Sequence, residues 1–319
     1  MTQHDTKAEQ TAKLFGDLWH RYDDQLFEQS VQLFYDRFRA NGFNLDSIRG
    51  LRCIDVGCGG GRLSIALARL GAAEVVGCDI SEGGLIDAKR RASDLKNVRF
   101  ETASALDLPY PDNSFDFVLC NGVLHHTPNP VRGFEEITRV LKHGGRCFVL
   151  LYGKGGLRWP TIMKIRPHAQ AMGYELVDEA IRLAGLPVNK QRTFLDDLFV
   201  PHITFYDYNE VRDMFLSNGY RDIERWTRGK LDHEASVEIQ EEELEQMATV
   251  FEAALKQSGI AERFTAKQVD ATYARDAVYR AMADLRTAKA DYNSGNIGEA
   301  ERDWSVHGWG HHRVLATKE

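Results

Sequence analysis

The stretch "LRCIDVGCGGGRLSIALARLGAAEVVGCDIS", residues 51–81, decides the fold. It passes from a short apolar run through Gly57, Cys58, Gly59, Gly60 and Gly61 into a segment of helical spacing, then into a second apolar run ending at Asp79. A strand that ends in closely spaced glycines and opens a helix is a ligand-binding turn, because glycine lets the backbone approach a ligand closely. What flanks the glycines narrows the ligand. A mononucleotide loop ends in Gly-Lys-Ser/Thr, whereas Gly61 is followed by Arg62 and Leu63. A dinucleotide fingerprint needs its third glycine at position 62, which is Arg62, and Asp55 would set a negative charge near the pyrophosphate.

Working outward, 319 residues with 43% hydrophobic side chains suffice for a substantial core. The net charge of -7 provides no general field for a phosphate backbone, so nucleic acid is a disfavoured partner. The sequence has no apolar run of the roughly 18 residues that span a membrane, and the polar opening "MTQHDTKAEQ" is unlike a secretory signal. A cytoplasmic location is the expectation. The five cysteines, Cys53, Cys58, Cys78, Cys120 and Cys147, lie mostly in short β-like runs without metal-type spacing, and read as reduced packing residues. No metal site is expected.

Five apolar runs, "LRCIDVG", "AEVVGCDI", "NVRFETAS", "FDFVLCNG" and "RCFVLLYG", alternate with helical segments, the third of these ending at Gly144–Gly145. Strands alternating with helices give a parallel sheet covered on both faces. The predicted organisation is a helical N-terminal cover over 1–47, a core over 48–152, an insertion over 153–204 and a core continuation over 205–228. A helical hairpin over 229–306 and a return to the core over 307–319 complete it. Within the insertion a helix is expected from Ala169 to Ala184; in the hairpin, Thr265 is a plausible cap after "QSGIAERFTA".

The remaining common ligand for such a loop is a sulfonium cation with a free amino group and no phosphate, S-adenosylmethionine, beside which a carboxylate is an asset. Here "IDVGCGGGRLS" resembles the first motif of class I S-adenosylmethionine-dependent methyltransferases, and "VVGCDIS" resembles their second-strand acid. "LDLPYPDNSFDFVLCNGVLHH" and "EEITRVLKHGG" are similar to later motifs of their small-molecule branch, which includes the ubiquinone and menaquinone methyltransferases. The resemblance covers about residues 48–152, with a looser echo at 205–227. It implies an α/β, Rossmann-like seven-stranded sheet of six parallel strands and one antiparallel strand, with helical insertions forming a cap. The antiparallel strand is placed at Arg313–Thr317.

The resemblance also implies roles. Gly57, Gly59 and Gly61, with Cys58 between them, let the backbone pass under the methionine part of the cofactor, and Asp55 holds the loop and the amino group. Asp79 accepts two ribose hydroxyls, and Ile80 packs on the adenine. Ser104 stands where the family usually has an acid, so the Ala105 backbone is the steadier adenine contact. Asn121 ends the fourth strand facing cofactor and acceptor, and Tyr22, with Trp19, closes over the cofactor.

Methyl transfer requires alignment, water exclusion and loss of one acceptor proton. His125 and His126, past the fourth strand, are candidate bases, and His202 joins them as a candidate catalytic residue. The insertion is expected to form a lid, with Arg158, Trp159, Arg166 and Arg192 as further acceptor contacts. His307, Trp309, His311 and His312 are expected near the pocket mouth. Three functions stay open: a small-molecule methyltransferase, an RNA methyltransferase of the wobble-uridine type, and a catalytically idle partner subunit. The 235–292 helices are a candidate homodimer contact.

Overall fold

The computed structural model describes residues 3–228, 236–258 and 266–319. In chain order the elements are α1 (Gln3–Trp19), α2 (Asp24–Ala40), β1 (Arg52–Val56), α3 (Arg62–Arg69), β2 (Glu74–Asp79), α4 (Glu82–Arg91), β3 (Val98–Thr102) and β4 (Phe115–Asn121). They continue with α5 (Pro130–Val140), β5 (Leu141–Tyr152), α6 (Arg158–Met172), α7 (Tyr174–Leu183), α8 (Val188–Phe199), α9 (Tyr208–Ser217) and β6 (Tyr220–Arg225). The last are α10 (Val237–Ser258), α11 (Ala266–Asn293), α12 (Glu299–His307) and β7 (His311–Lys318).

Two compact units form. The first takes in the described residues of 1–152, 201–231 and 311–319, and holds the sheet in the order β3-β2-β1-β4-β5-β7-β6. β7 runs antiparallel to both its neighbours, so the other six strands are parallel. The central strands are apolar on both faces because helices cover both. Phe117 and Leu119 of β4 join Phe34 and Phe38 of α2 in one core, while Val118 and Cys120 between them join Phe134 of α5 and Phe215 of α9 in the other. This is the period-two alternation of a strand. All five cysteines are buried and unbridged.

Two boundaries shift from the sequence reading. α5 ends at Val140 and not at Gly144–Gly145, since Leu141 is fully buried and already paired with Phe115, so the sheet captures the backbone there. β7 starts at His311, ahead of the predicted Arg313, because its ladder with β5 extends until His311 faces Tyr152.

The second unit takes in the described residues of 153–200 and 232–310. The insertion and the hairpin, read separately from sequence, therefore pack as one helical body, with α6 on α11 and α7 on α10. In place of one helix from Ala169 to Ala184 there are α6 and α7, divided at Gly173, and α12 was not anticipated. Thr265 and most of "QSGIAERFTA" lie outside the described residues.

Arg158 sits inside this body, 8% exposed, and pairs with the buried Asp197 and, at 2.8 Å, with Glu243; Lys190 also pairs with Glu243. Arg166 donates to the carbonyls of Asp197 and Val200, the latter at 2.6 Å. These contacts replace the acceptor-binding role expected of Arg158 and Arg166: both guanidinium groups are occupied in holding the helices together. Arg158→Ala takes the paired cation from the buried Asp197 and leaves Glu243 to Lys190 alone, and should destabilise the unit by about 3–5 kcal/mol, read as a lowered urea midpoint in helical circular dichroism. An unchanged midpoint would remove this network from the stabilising contacts.

Candidate active site

The loop after β1 is held from its own backbone. The N–H groups of Gly57 and Cys58 both donate to the Cys78 carbonyl at the end of β2, at 2.7 and 3.0 Å. Gly57 and Gly59 have φ of +72° and +52°. A Cβ on Gly57 would stand 2.3 Å from Val123 Cγ2, and one on Gly59 2.2 Å from Trp19 Nε1, so backbone conformation and space both demand glycine. Gly61 closes the turn, donating to the Cys58 carbonyl at 2.9 Å. Cys58 is buried, and burial pushes its thiol well above its usual pKa, so it is a packing group.

Asp79 ends β2 and clamps this loop. Its Oδ2 accepts the Gly59 N–H at 2.8 Å and its Oδ1 the Ser81 N–H at 2.8 Å. Loss of surrounding water raises its pKa, against those backbone bonds. A carboxylate has about four acceptor positions, so each oxygen retains one for a ligand hydroxyl. Ile80, next along, is 36% exposed. The Ala103 N–H reaches the Asp79 carbonyl at 3.1 Å, which brings the following turn beside this strand end. In that turn Ser104 Oγ accepts the Leu106 N–H at 3.2 Å, and Ala105 is buried.

Asp55 lies beneath the loop, 1% exposed, and accepts a 2.7 Å hydrogen bond from Ser64 Oγ. Burial raises its pKa to about 6. A buried carboxylate at that value is stabilised by any cation delivered beside it. Trp19 packs against Gly59 and Gly60, the Arg62 guanidinium lies 5.7 Å from the Trp19 ring, and Tyr22 stands 5.3 Å from Trp19 between ring centroids. Arg91 holds this corner through the Tyr22 carbonyl, at 2.6 Å.

The carboxyl ends of β4 and β5 carry a cluster of rings. His125 stacks on Tyr152 at 3.8 Å, and His126 and His311 flank the same tyrosine at 5.3 and 5.1 Å. His125 is fully buried, its two ring nitrogens have no hydrogen-bond partner among the described residues, and burial drives its pKa well below the usual value. His126 Nδ1 lies 3.1 Å from the His202 carbonyl. A carbonyl only accepts, so Nδ1 carries the proton and Nε2 is the basic nitrogen. His202 thus meets His126 through its backbone. His312 Nε2 approaches the Tyr206 carbonyl at 2.9 Å, and burial lowers its pKa to about 4. Asn121 lies apart from this cluster, in a cavity wall with Arg62. Tyr152, the hub, was missed in the sequence because a tyrosine ending an apolar strand looks like any interface aromatic.

A glycine loop over a buried acid, a strand-end carboxylate with acceptor capacity to spare and an exposed isoleucine beside it together suit one ligand. The acid would meet a sulfonium and its amino group, the carboxylate two ribose hydroxyls, and the isoleucine an adenine face; the donor set fits S-adenosylmethionine. With the antiparallel β7 between β5 and β6, the fold is that of class I S-adenosylmethionine-dependent methyltransferases.

Residues 54–149 match the family model described as a methyltransferase domain. The chain is 28% identical over 179 residues to a demethylmenaquinone methyltransferase of Staphylococcus carnosus (strain TM300), a match covering 55% of this chain and 70% of that protein. It is 34% identical to the 27-O-demethylrifamycin SV methyltransferase of Amycolatopsis mediterranei (strain S699) over 48% of this chain and 60% of that protein. Against a demethylmenaquinone methyltransferase of Clavibacter sepedonicus, 37% identical, the match covers 42% of this chain and half of that protein. The solved structure of the [4+2]-cyclase SpnF aligns with a TM-score of 0.48 and 22% identity over 90% of this chain and 81% of its own.

Asp79→Ala should weaken S-adenosylmethionine binding tenfold or more by calorimetry, since two charge-assisted hydrogen bonds of about 1.5–3 kcal/mol each are lost. Unchanged affinity in a folded variant would remove Asp79 from the ribose site. A second expectation concerns pH. The ionised form of Asp55 attracts the cation, and in the free protein that form prevails only above about pH 6. Affinity should therefore rise from pH 5 to 7 with proton release and then level off, while Asp55→Asn should flatten the profile. A flat profile in the unsubstituted protein would separate Asp55 from the cation.

Proposed function

We propose that the chain transfers the methyl group of S-adenosylmethionine to a small-molecule acceptor, a metabolite or natural product. The observation that carries this reading is the confined ring cluster at the ends of β4 and β5, where His125, His126 and Tyr152 crowd together and both histidines are almost wholly buried. Such a setting suits a small planar or apolar acceptor that enters it, and not a polymer that slides across a surface. The relatives' names are consistent with this, since demethylmenaquinone and 27-O-demethylrifamycin SV are both small molecules. The net charge of -7 speaks against an RNA acceptor. Intact Gly57, Gly59, Asp55 and Asp79 speak against an idle subunit. Among the described residues no helix is long and apolar enough to cross a membrane.

When bound, the cofactor supplies a methyl group on a good leaving sulfur. This chain's residues then orient the acceptor, exclude water and take a proton. Of the histidines, His126 is the better base: its tautomer is fixed by the His202 carbonyl, whereas His125 is sealed in the packing. His202 acts as a positioning residue through its main chain.

Radiolabelled cofactor incubated with the protein and either low-molecular-mass metabolites or bulk tRNA tests the reading. Label should enter the small-molecule fraction; label in tRNA alone would overturn it. With an acceptor in hand, His126→Gln should lower turnover by about 10²-fold or more and remove the acidic limb of its pH profile, with cofactor affinity unchanged. An unaltered pH profile would exclude His126 as base.

A further inference from the structure

The edge of the sheet where the parallel strands begin holds a cavity of about 400 Å³. Small-molecule sites span about 300–1,000 Å³. The cavity is lined by Ile48 and Leu51 ahead of β1, by Asp116 and Phe117 at the start of β4, and by residues 142–146 of β5. The glycine loop follows β1 and so stands at the far end of that strand, roughly 16 Å away for five extended residues. Neither that loop nor Asp55 or Asp79 is among the described lining residues.

A bulge in β5 opens the space. Leu141 pairs with Phe115 and Arg146 with Phe117, so residues 142–145 stand against Asp116 alone, and the ladder with β7 begins only at Arg146. A bulge bends its strand and re-aims a side chain beside it. Gly144 takes φ of +74°, and a Cβ on Gly145 would lie 2.9 Å from the Asp116 carbonyl oxygen, so the turn is held tight against β4. Arg146 and Phe117 are paired and project from one face, the face on which Phe43, Ile48 and Leu51 pack.

The charges at this edge are unequally committed. Asp116 accepts the Arg52 N–H at 2.9 Å and the Lys142 ammonium at 2.7 Å, which balances it. His143 meets a main-chain oxygen of Glu319. Arg146 is half-buried, its guanidinium lies 4.3 Å from the centre of the Phe43 ring, and its side chain makes no ion pair or hydrogen bond among the described residues. Loss of water lowers its pKa, and the charge of Glu224 on β6 offsets this only in part. A guanidinium resting on an aromatic ring keeps its N–H fork for a carboxylate or a phosphate, either of which it can meet with two parallel hydrogen bonds.

We propose that this cavity binds a small organic oxyanion, a carboxylate or phosphate ester with an apolar body, its charged end on Arg146 and its body against Ile48, Leu51 and Phe117. The site stands at the opposite edge from methyl transfer and does not depend on that reading.

The test follows the δ1-methyl resonance of Ile48 in the full-length protein, identified by its loss in Ile48→Val. Sodium benzoate and phenyl phosphate are titrated against neutral benzamide at constant ionic strength, with and without excess S-adenosylhomocysteine. At least one anion should shift the signal saturably and bind tenfold or more tightly than benzamide; benzoate alone would mark a carboxylate site and phenyl phosphate alone a phosphate ester site. Arg146→Gln should weaken that binding tenfold or more with the other methyl signals unmoved. If Arg146→Gln fails to fold, Arg146→Lys, which keeps the charge and loses the fork, should weaken it several-fold, and the contrast with benzamide needs no variant. An equal response to benzamide, the absence of a saturable shift or unchanged affinity in folded Arg146→Gln would overturn the proposal. So would a shift abolished by S-adenosylhomocysteine, which would place the anion in the cofactor site.

Discussion

The ladder between β5 and β7 is the constraint on which the ligand edge depends. Seven consecutive pairs, from Arg146 with Thr317 to Tyr152 with His311, fix an antiparallel strand inside an otherwise parallel sheet. The side-chain period is two, so a slip of one residue would turn every side chain of β7 to the other face. Val314 and Ala316 would leave one core and Leu315 the other. The same slip would move His311 away from Tyr152 and Arg313 out of its row with Leu150 and Asn121. Apolar burial thus sets the register, and the register sets which polar groups reach the carboxyl edge.

A second tie works on the other side of the sheet, at β1 and β2. Asp79 joins the end of β2 to Gly59, while the Cys78 carbonyl receives Gly57 and Cys58. The loop that is to approach a ligand is therefore rigid before any ligand arrives, and little ordering entropy is left to lose on binding. Its cost is visible at Asp55, whose buried carboxyl is destabilised in the ionised form until a cation comes.

The parts that were legible in the sequence are those where one residue's chemistry determines its local backbone or depth. Glycines at 57, 59 and 61 with acids at 55 and 79 mark a strand–loop–helix–strand unit wherever it folds, and continuous apolar runs mark central parallel strands. The illegible parts depend on partners far along the chain. Leu141 leaves its helix because Phe115 awaits it, Arg158 is a helix-binding cation because Asp197 and Glu243 meet it, and Trp226 belongs with Phe38 and Arg313 across separations no periodicity reports. Tyr152 and His202 are in the same class, since a histidine that acts through its carbonyl leaves no trace in its side-chain identity.

Charge is distributed unevenly along the sheet. Carboxylates of Asp55 and Asp79 stand at β1 and β2, and guanidinium groups of Arg62 and Arg313 line the cavity beside Asn121. A sulfonium cation that alkylates an anionic acceptor yields two neutral products, and one that alkylates a neutral acceptor spreads its charge over both partners, so in either case the transition state is less polar than the reactants and gains from leaving water. The Asp55 and Asp79 carboxyls at β1 and β2 and the buried rings of His125 and Tyr152 at the ends of β4 and β5 set a polar region beside a low-dielectric one along the same edge. A low-dielectric region of this kind favours a step in which charge is dispersed or neutralised.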